Sequence, residues 1–300
     1  MSATTLPGSH AKDADVARAL GRRRKTMDAL VKWFCVAATA IGLFFLASIM
    51  LTLLWRGLAA LDLNVLTREF QPTTYGDPDA PRGGLAHAIL GSLVQTAIGT
   101  AIGTPIGLLV GTYLAEYARG SQLGNAVRFV SDVLLSAPSI LIGLFIYQLV
   151  VLPMGGFSGI AGSLALAIIV IPVVVRTTED MLQLIPNTLR EAVIGLGAPK
   201  WKMITLVCYK AALSGIVTGV LLAVARIAGE TAPLLLTSFG NNVVNFDLTR
   251  AVASLPIAIY QQANSGFPDL IEIAWAGALI VTLGVLAINI IARVVLRSRH

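Results

Sequence analysis

Charged residues are scarce in this sequence. Only 13% of the 300 residues are Asp, Glu, Lys or Arg, and 56% are hydrophobic, whereas a soluble globular domain is about 25% charged. The mean hydropathy of +0.79 agrees with this imbalance. The composition therefore excludes a water-soluble enzyme, a disordered regulator and a small secreted domain held by disulfides. It predicts an all-α integral membrane protein whose helices mostly face lipid.

Motifs for catalysis, metal binding and nucleotide binding are also lacking. None of the 3 histidines stands at a metal-binding spacing, and the 2 cysteines do not form a CxxC pair. The sequence contains neither a GxxxxGK[ST] loop nor a GxSxG motif. We therefore predict no catalytic site, no metal site and no cofactor on this chain. We attribute the net charge of +6 to basic loops on one side of a membrane and not to nucleic-acid binding.

Six apolar runs are long enough to cross a membrane, which takes about 20 helical residues. The run from Trp33 to Trp55 contains no charge. The uncharged run from Val133 to Val175 is too long for one helix, and Pro153 with the glycines after it divides the run in two. We predict spans at 33–55, 88–115, 133–152, 161–175, 213–236 and 273–292.

Lys and Arg outside the spans are concentrated in alternate segments. These are the N-terminal tail 1–32, the loop 176–212 and the C-terminal tail 297–300. Because cytosolic loops are enriched in Lys and Arg, we predict that both termini are cytosolic and that residues 33–296 form the transmembrane domain. The basic cluster Arg22–Lys25 is expected to contact anionic lipid headgroups, or to act only as a topological signal.

Glycines recur at every fourth position in the second predicted span. Gly99, Gly103, Gly107 and Gly111 therefore share one helix face, and such a face allows two helices to approach closely. The spacing leaves two alternatives open, which are packing within the chain and packing against a partner subunit.

The loop 176–212 contains a helix-and-turn pattern. Glu191-Ala192-Val193 is followed by three residues and Gly197, which is expected to end a short helix in a sharp turn. A second short helix is predicted from Lys200 onward. We interpret the pattern as a rigid projection that docks on a soluble partner, with an amphipathic helix resting on the membrane as the alternative.

This pattern resembles the EAA motif of ABC importer permeases. Glu191, Ala192 and Gly197 match the motif, and Val193 replaces its second alanine. Four further segments are similar, in the same order, to the phosphate-specific permeases of that class. They are Tyr113–Tyr117, Leu135–Ile140, Arg176–Glu179 and Ala225–Leu235.

The resemblance implies a six-helix, type I ABC importer permease for inorganic phosphate in the bacterial inner (plasma) membrane. It implies three partners, which are the homologous permease PstC, the ATPase PstB with its ATP and magnesium, and the phosphate-binding protein PstS. It also assigns Glu191, Ala192 and Gly197 to ATPase coupling. The alternatives are a permease for sulfate or molybdate, a phosphate-signalling scaffold and a passive anion channel.

Two ionisable residues lie inside the predicted fifth span. A charge at the bilayer centre costs about 2.5–3.5 kcal/mol on insertion scales, so Arg226 and Glu230 are expected to face a pathway or the bundle interior. Their spacing of four places them on one helix face. The guanidinium fits the oxygens of an anion, with Thr231 nearby, whereas the alternative is a structural ion pair. Arg176, at the predicted end of span four, is either an anion exit site or a snorkelling residue.

Overall fold

The computed structural model describes residues 9–71 and 83–297. The start of the predicted tail 1–32 (residues 1–8), most of the tail 297–300 and residues 72–82 lie outside this description. Within the described ranges the protein is helical and contains no strand. This agrees with the predicted all-α fold class.

Eleven helices run through the described residues, when segments that continue without a break are counted together. They are α1 (Ser9–Ala60), α2 (Leu63–Thr67), α3 (Ala86–Glu116), α4 (Gln122–Ser136), α5 (Ser139–Met154), α6 (Gly159–Gln183), α7 (Asn187–Gly195), α8 (Lys200–Ile227), α9 (Ala232–Thr237), α10 (Leu255–Ala263) and α11 (Pro268–Arg297). Helices α5 and α8 include π-helical turns at Tyr147–Val151 and Met203–Cys208. Five helices can each cross a membrane by length and composition, and the bent pair α4–α5 makes a sixth if it is one span.

The chain separates into two compact units, one up to Trp55 and the other from Arg56 onward. The first unit consists of the part of α1 that precedes Arg56. The stretch Arg24–Ala60 of this helix is 37 residues long, and its most apolar 18 residues have a mean hydropathy of 2.4. At 1.5 Å per residue it extends about 55 Å, whereas the hydrocarbon core is about 30 Å thick. One bilayer therefore cannot cover its whole length if the helix stands upright.

In the second unit, α6 is the central helix, because 67% of its most apolar window is buried, against 22–28% for α3, α8 and α11. The glycine face of α3 packs along it. A Cβ on Gly103 would lie 2.8 Å from the carbonyl oxygen of Ala167, and one on Gly111 would lie 2.7 Å from that of Val175. The contacts advance together along both chains, so α3 and α6 are parallel. Of the two alternatives for the glycine face, the structure shows packing within the chain.

Helix α8 packs on α6 by the same device but in the opposite direction. Gly219 faces Thr177 and Gly215 faces Met181, so the two helices are antiparallel. Toward the other end of the interface, Val170 and Ala223 belong to one buried apolar cluster. The absence of side chains at the glycines brings the backbones close together, and α6 is therefore held on two sides.

The predicted span 133–152 is wrong at its start. Helix α4 runs through Ser136, and α5 begins at Ser139 at an angle of 104° to it. Pro138 explains the break, because a proline disfavours helical geometry in the residue before it. Ala137 accordingly has an extended backbone, with φ −66° and ψ 138°. Hydropathy alone did not reveal this change of direction.

The predicted span 213–236 is also wrong, because it is not one helix. Helix α8 begins at Lys200 and ends at Ile227, and a separate short helix, α9, follows after a break. Gly229 lies in this break, and Pro233 lies in the first turn of α9. Glycine weakens a helix and proline favours a helix start, so the two residues account for the interruption.

The segment between α9 and α11 folds over the N-terminal end of α3. The backbone N–H of Leu255 donates to the hydroxyl of Ser92 (2.6 Å), and the Gln95 amide donates to the carbonyl of Ala253 (3.1 Å). In the exposed part of this segment, the hydroxyl and backbone N–H of Thr249 donate to Asp247 and lower the pKa of its carboxyl. These bonds order a stretch that is largely without regular secondary structure.

Candidate coupling and translocation sites

The predicted helix-and-turn of the 176–212 loop is α7 and the turn after it. The N–H of Gly197 donates to Ile194 (2.8 Å), and the N–H of Ala198 donates to Val193 (3.4 Å). This pair of bonds is a Schellman motif, in which the residue after the helix adopts a left-handed conformation. Gly197 has φ +81°, a conformation that costs other residues free energy. The turn therefore requires glycine for its backbone and not for space, since nothing lies within 4 Å of a Cβ built there.

Two expectations about this loop need correction. Helix α6 continues past Arg176 to Gln183, so the loop starts later than predicted. The residues from Lys200 onward do not form a separate short helix, because they are the first turns of α8. The projection therefore consists of one helix, α7, held between the ends of two long helices.

Large apolar side chains are exposed on α7, on the turn after it and at the start of α8, and we call these side chains together the loop surface. It consists of the exposed side chains of Leu189, Ile194, Leu196 and Trp201. Leu196 is 88% exposed, and the motif residues Glu191 and Ala192 are exposed as well. Large exposed apolar side chains that cluster on a rigid element are typical of a protein-binding site.

A buried ion pair holds α7 against the end of α3. The Arg190 guanidinium donates through Nη2 (2.8 Å) and Nε (3.1 Å) to one carboxylate oxygen of Glu116, the last residue of α3. The side chains are 8% and 3% exposed. Arg190 also donates to the carbonyl oxygens of Leu182 (2.6 Å) and Ile185, at the end of α6 and just after it. Both charges are therefore paired and hydrogen-bonded, as buried charges need to be.

Lys200 completes this group of charges. Its ammonium donates to the backbone carbonyl oxygen of Glu116 and lies 4.3 Å from the ring centre of Tyr117. We call Glu116, Arg190 and Lys200 the Glu116 anchor. Sequence reasoning treated Arg190 and Lys200 only as basic loop residues. The available signal was Glu116 itself, an acid directly after the long uncharged run 88–115.

A second ion pair joins other helices at the same end of the bundle. The Arg128 Nε on α4 donates to Glu179 Oε1 on α6 at 2.7 Å, and Gln183 donates to the same oxygen at 2.9 Å. Glu179 is buried, whereas Arg128 is partly exposed. This pair links α4 to α6 and does not include α7.

The structure brings Arg226 and Glu230 together only loosely. Arg226 is next to last in α8, and Glu230 lies in the break after it, so they do not share a helix face as predicted. Their closest ionic atoms are 4.0 Å apart, and their side chains are 41% and 16% exposed. Thr231 follows directly and is half-buried. Such a pair leaves guanidinium donors available to another group.

Arg176 lies inside α6 and not at its end, which corrects the prediction. It approaches Asp180 one turn later at 3.4 Å, and both side chains are about half exposed. Because Thr177 faces Gly219 in the antiparallel register, Arg176 is level with Val220, and Arg226 is roughly 9 Å further along the bundle at 1.5 Å per residue. The structure thus places the two arginines at different levels, and they do not form one site.

A cavity of about 210 Å³ lies at the opposite end of the bundle from α7. His87, Asn241, Ser254 and Gln262 are among its lining residues, and it includes none of the predicted site residues. The described lining contains no Lys or Arg. Since these described lining residues supply no fixed positive charge to attract an anion, we do not assign the cavity to the anion pathway.

These features together define a class of protein. Long apolar helices, a capped surface helix at one end of the bundle and two arginines on membrane helices are typical of a transporter subunit. The family model described as "Binding-protein-dependent transport system inner membrane component" matches residues 103–299. The chain belongs to this family, and it is a multi-pass membrane protein.

Curated relatives cover almost the whole chain. It is 52% identical, over 90% of its length, to "Phosphate transport system permease protein PstA" of Pasteurella multocida (strain Pm70), of which 95% is covered. It is 49% identical, over 93% of its length, to the protein of the same name from Yersinia pestis, of which 92% is covered. The predicted resemblance to the phosphate-specific ABC importer permeases is confirmed.

Solved structures agree on the fold. A chain of a bacterial alginate ABC transporter, in complex with an alginate pentasaccharide-bound periplasmic protein, has a TM-score of 0.63 at 15% identity. That match covers 90% of this chain and 94% of the other. A chain of the inward-facing MetNI methionine ABC transporter has a TM-score of 0.60 at 20% identity, over 71% of this chain and 95% of the other. The predicted fold of a type I ABC importer permease is confirmed.

Proposed function

We propose that this chain is the membrane-spanning permease subunit of an ATP-driven importer of inorganic phosphate and forms half of its translocation pathway. The observation that carries the proposal is about 50% identity, over nine-tenths of the chain, to proteins named as phosphate transport permeases. A match of this extent spans nearly the whole chain and is not limited to a common fold.

In this proposal the loop surface docks on a separate ATPase. The exposed Leu196 and Trp201 supply apolar contact area, and the Schellman turn at Gly197 fixes their position. ATP and magnesium bind to the ATPase, which the resemblance names as PstB. The homologous permease PstC supplies the other half of the pathway, and PstS delivers phosphate. One structural neighbour was solved with a periplasmic protein, which supports an importer that uses a binding protein.

The proposed orientation puts α7 and both termini in the cytosol. The excess of Lys and Arg in the tail 1–32 and the loop 176–212 supports it. The parallel packing of α3 with α6 and the antiparallel packing of α6 with α8 agree with the predicted order of spans. In this orientation, α7 faces the compartment that contains ATP.

We place the substrate pathway along Arg226, Thr231 and Arg176. Arg226 is only loosely paired, and a guanidinium offers planar N–H donors that fit the oxygens of phosphate. Glu230 would limit how tightly the anion is held, so that it can leave. Arg176 would meet the anion at a second level of the bundle.

Reconstitution tests this proposal. The chain is assembled with PstC and PstB in vesicles, and uptake of labelled phosphate and labelled sulfate is measured with PstS, with and without ATP. We expect phosphate uptake that requires ATP. Uptake without ATP would instead indicate a channel. Preferential uptake of sulfate would indicate a permease for a different oxyanion. Loss of uptake with intact phosphate signalling would indicate a scaffold.

A further inference from the structure

We propose that Glu116 and Arg190 are positioning residues that join the coupling helix α7 to α3, so that α3 moves when an ATPase displaces α7. This inference rests on the proposed docking of the ATPase at the loop surface. It concerns the step after docking, in which a movement at the surface reaches the membrane helices.

The chain itself connects α7 to only two of the long helices. Residues 184–186 join α7 to α6, and residues 196–199 join it to α8. Helix α3 is distant in sequence, because Glu116 and Arg190 are 74 positions apart. The Glu116 anchor is therefore a place where α7 and α3 can be weakened against each other without cutting the chain. Two lesser contacts accompany it, because Arg119 donates to Asn187 at 3.5 Å and Val193 packs against the apolar cluster that contains Ala115.

The geometry of the anchor suits the transmission of force. One carboxylate oxygen of Glu116 accepts hydrogen bonds from both Nε and Nη2 of Arg190. Both side chains are more than nine-tenths buried. An ion pair shielded from water is strong and keeps a narrow range of geometries. Lys200 binds the carbonyl oxygen of the same Glu116 from the first residue of α8. The end of α3 is thus bound to α7 through Arg190 and to the start of α8 through Lys200.

Helix α3 is positioned to pass the movement on. Its glycine face contacts α6 from Gly99 to Gly111, so the two backbones touch over more than three turns. Closely packed helices shift as units and do not deform continuously. A displacement of α7 would therefore reach the bundle centre through α3 as well as through the short connections to α6 and α8.

The Arg128–Glu179 pair provides a matched control. Like the Arg190–Glu116 pair, it joins an arginine to a buried glutamate at the same end of the bundle. Its ionic atoms are 2.7 Å apart. Arg128 on α4 binds Glu179 on α6 and also donates through Nη2 to the carbonyl oxygen of Leu114 on α3 (3.2 Å), but neither bond reaches α7. Weakening the pair should disturb assembly in a comparable way without separating the coupling helix from α3.

The experiment measures phosphate transported per ATP hydrolysed in vesicles that contain the complete importer. Arg190→Lys keeps the charge but loses the planar fork, and Glu116→Gln keeps the shape but loses the charge. We expect both variants to hydrolyse ATP within about twofold of the wild-type rate. We expect at least a fivefold fall in phosphate per ATP. Arg128→Lys is expected to keep the wild-type ratio, even where the yield of complex falls.

An unchanged ratio in both anchor variants would overturn the inference, and so would an equal fall in Arg128→Lys. If the single variants do not assemble, the double variant Glu116→Gln/Arg190→Gln leaves no unpaired charge. That double variant should assemble with a low ratio, and a wild-type ratio in it would also overturn the inference. Failure of the wild-type complex to take up phosphate would instead contradict the proposed function, so the two failures are distinguishable.

Discussion

At the scale of single residues, Gly197 is needed for its backbone conformation. Its φ of +81° costs an L-residue about 1–2 kcal/mol, and a β-branched residue tolerates it least. We expect Gly197→Val to insert and assemble normally but to lose at least tenfold in phosphate uptake, because the loop surface changes position. Uptake in vesicles and complex yield by pull-down measure the two effects.

Two variants control for this change. Gly197→Asn should retain most uptake, because asparagine adopts the left-handed conformation more readily than other residues. Gly195→Ala, within α7 and also in open space, should be neutral or slightly stabilising, since alanine favours helix by about 1 kcal/mol over glycine. Equal uptake in Gly197→Val and the wild type would exclude the turn from the coupling mechanism.

Arg226 is the second position where the chemistry of one side chain can be tested. Because the Arg226–Glu230 pair is loose and partly exposed, we expect Arg226→Ala to assemble nearly as well as the wild type. A fully buried ion pair would behave differently, since loss of one partner costs about 3–5 kcal/mol. Arg226→Lys should reduce phosphate uptake at least fivefold despite normal assembly, because it lacks the planar fork.

The double variant Arg226→Ala/Glu230→Ala separates a substrate site from a structural pair. We expect it to assemble and to remain inactive in uptake. Recovery of wild-type uptake in the double variant would mean that the two residues only hold helices together. Arg176→Ala serves as the comparison at the other level of the bundle. It should not destabilise the protein, because the Asp180 carboxylate that it leaves without a partner is half exposed.

At the scale of helices, the glycine face of α3 sets the distance to α6. A Cβ on Gly103 would lie 2.8 Å from both the carbonyl oxygen of Ala167 and the Cβ of Val170, so even alanine must push the backbones apart. We expect Gly103→Ala to destabilise the protein by about 1–3 kcal/mol, the usual cost of overpacking, and to lower its melting temperature in detergent.

Gly284→Ala is the matched control for this helix contact. Gly284 lies in α11, and no atom would be within 4 Å of its added Cβ. Its melting temperature should stay at the wild-type value or rise slightly. If Gly103→Ala also melts like the wild type, close contact of α3 with α6 is not a source of stability.

The sequence was informative about helix faces and less so about partners and directions. The four-residue spacing of glycines in α3 predicted a close helix contact. It did not identify α6 as the partner, because a helix of this chain and a helix of a partner subunit are both apolar and fit the spacing equally well. The α4–α5 bend at Pro138 was missed because an uncharged run has the same hydropathy whether straight or bent. The end of α8 at Ile227 was missed because the apolar residues continue on both sides of the break, although Gly229 and Pro233 were visible.

The candidate sites divide along similar lines. The turn at Gly197 was predictable, because a Schellman motif is local and only a few residues long. The Glu116 anchor was not, because its residues come from α3, α7 and α8 and meet only through the tertiary fold. The i, i+4 argument for Arg226 and Glu230 was right that the two side chains come within reach, at 4.0 Å. It was wrong that they share a helix face, because the helix ends between them.

At the scale of the whole molecule, the proposed orientation can be tested by cysteine labelling. Cys35 is exposed and is first replaced by serine, whereas Cys208 is buried and can remain. Single cysteines are then introduced at two exposed glutamines at opposite ends of the bundle, Gln122 at the start of α4 and Gln261 in α10. A membrane-impermeant maleimide is added to spheroplasts before and after permeabilisation.

We expect Gln261→Cys to react in intact spheroplasts and Gln122→Cys to react only after permeabilisation. The reason is that Gln122 lies near α7, at the end of the bundle that the Lys- and Arg-rich loop 176–212 would hold in the cytosol. The reverse pattern would put the loop surface outside the cell, away from ATP. It would then remove the ATPase docking proposal and the role of the Glu116 anchor together, because both require α7 to be cytosolic.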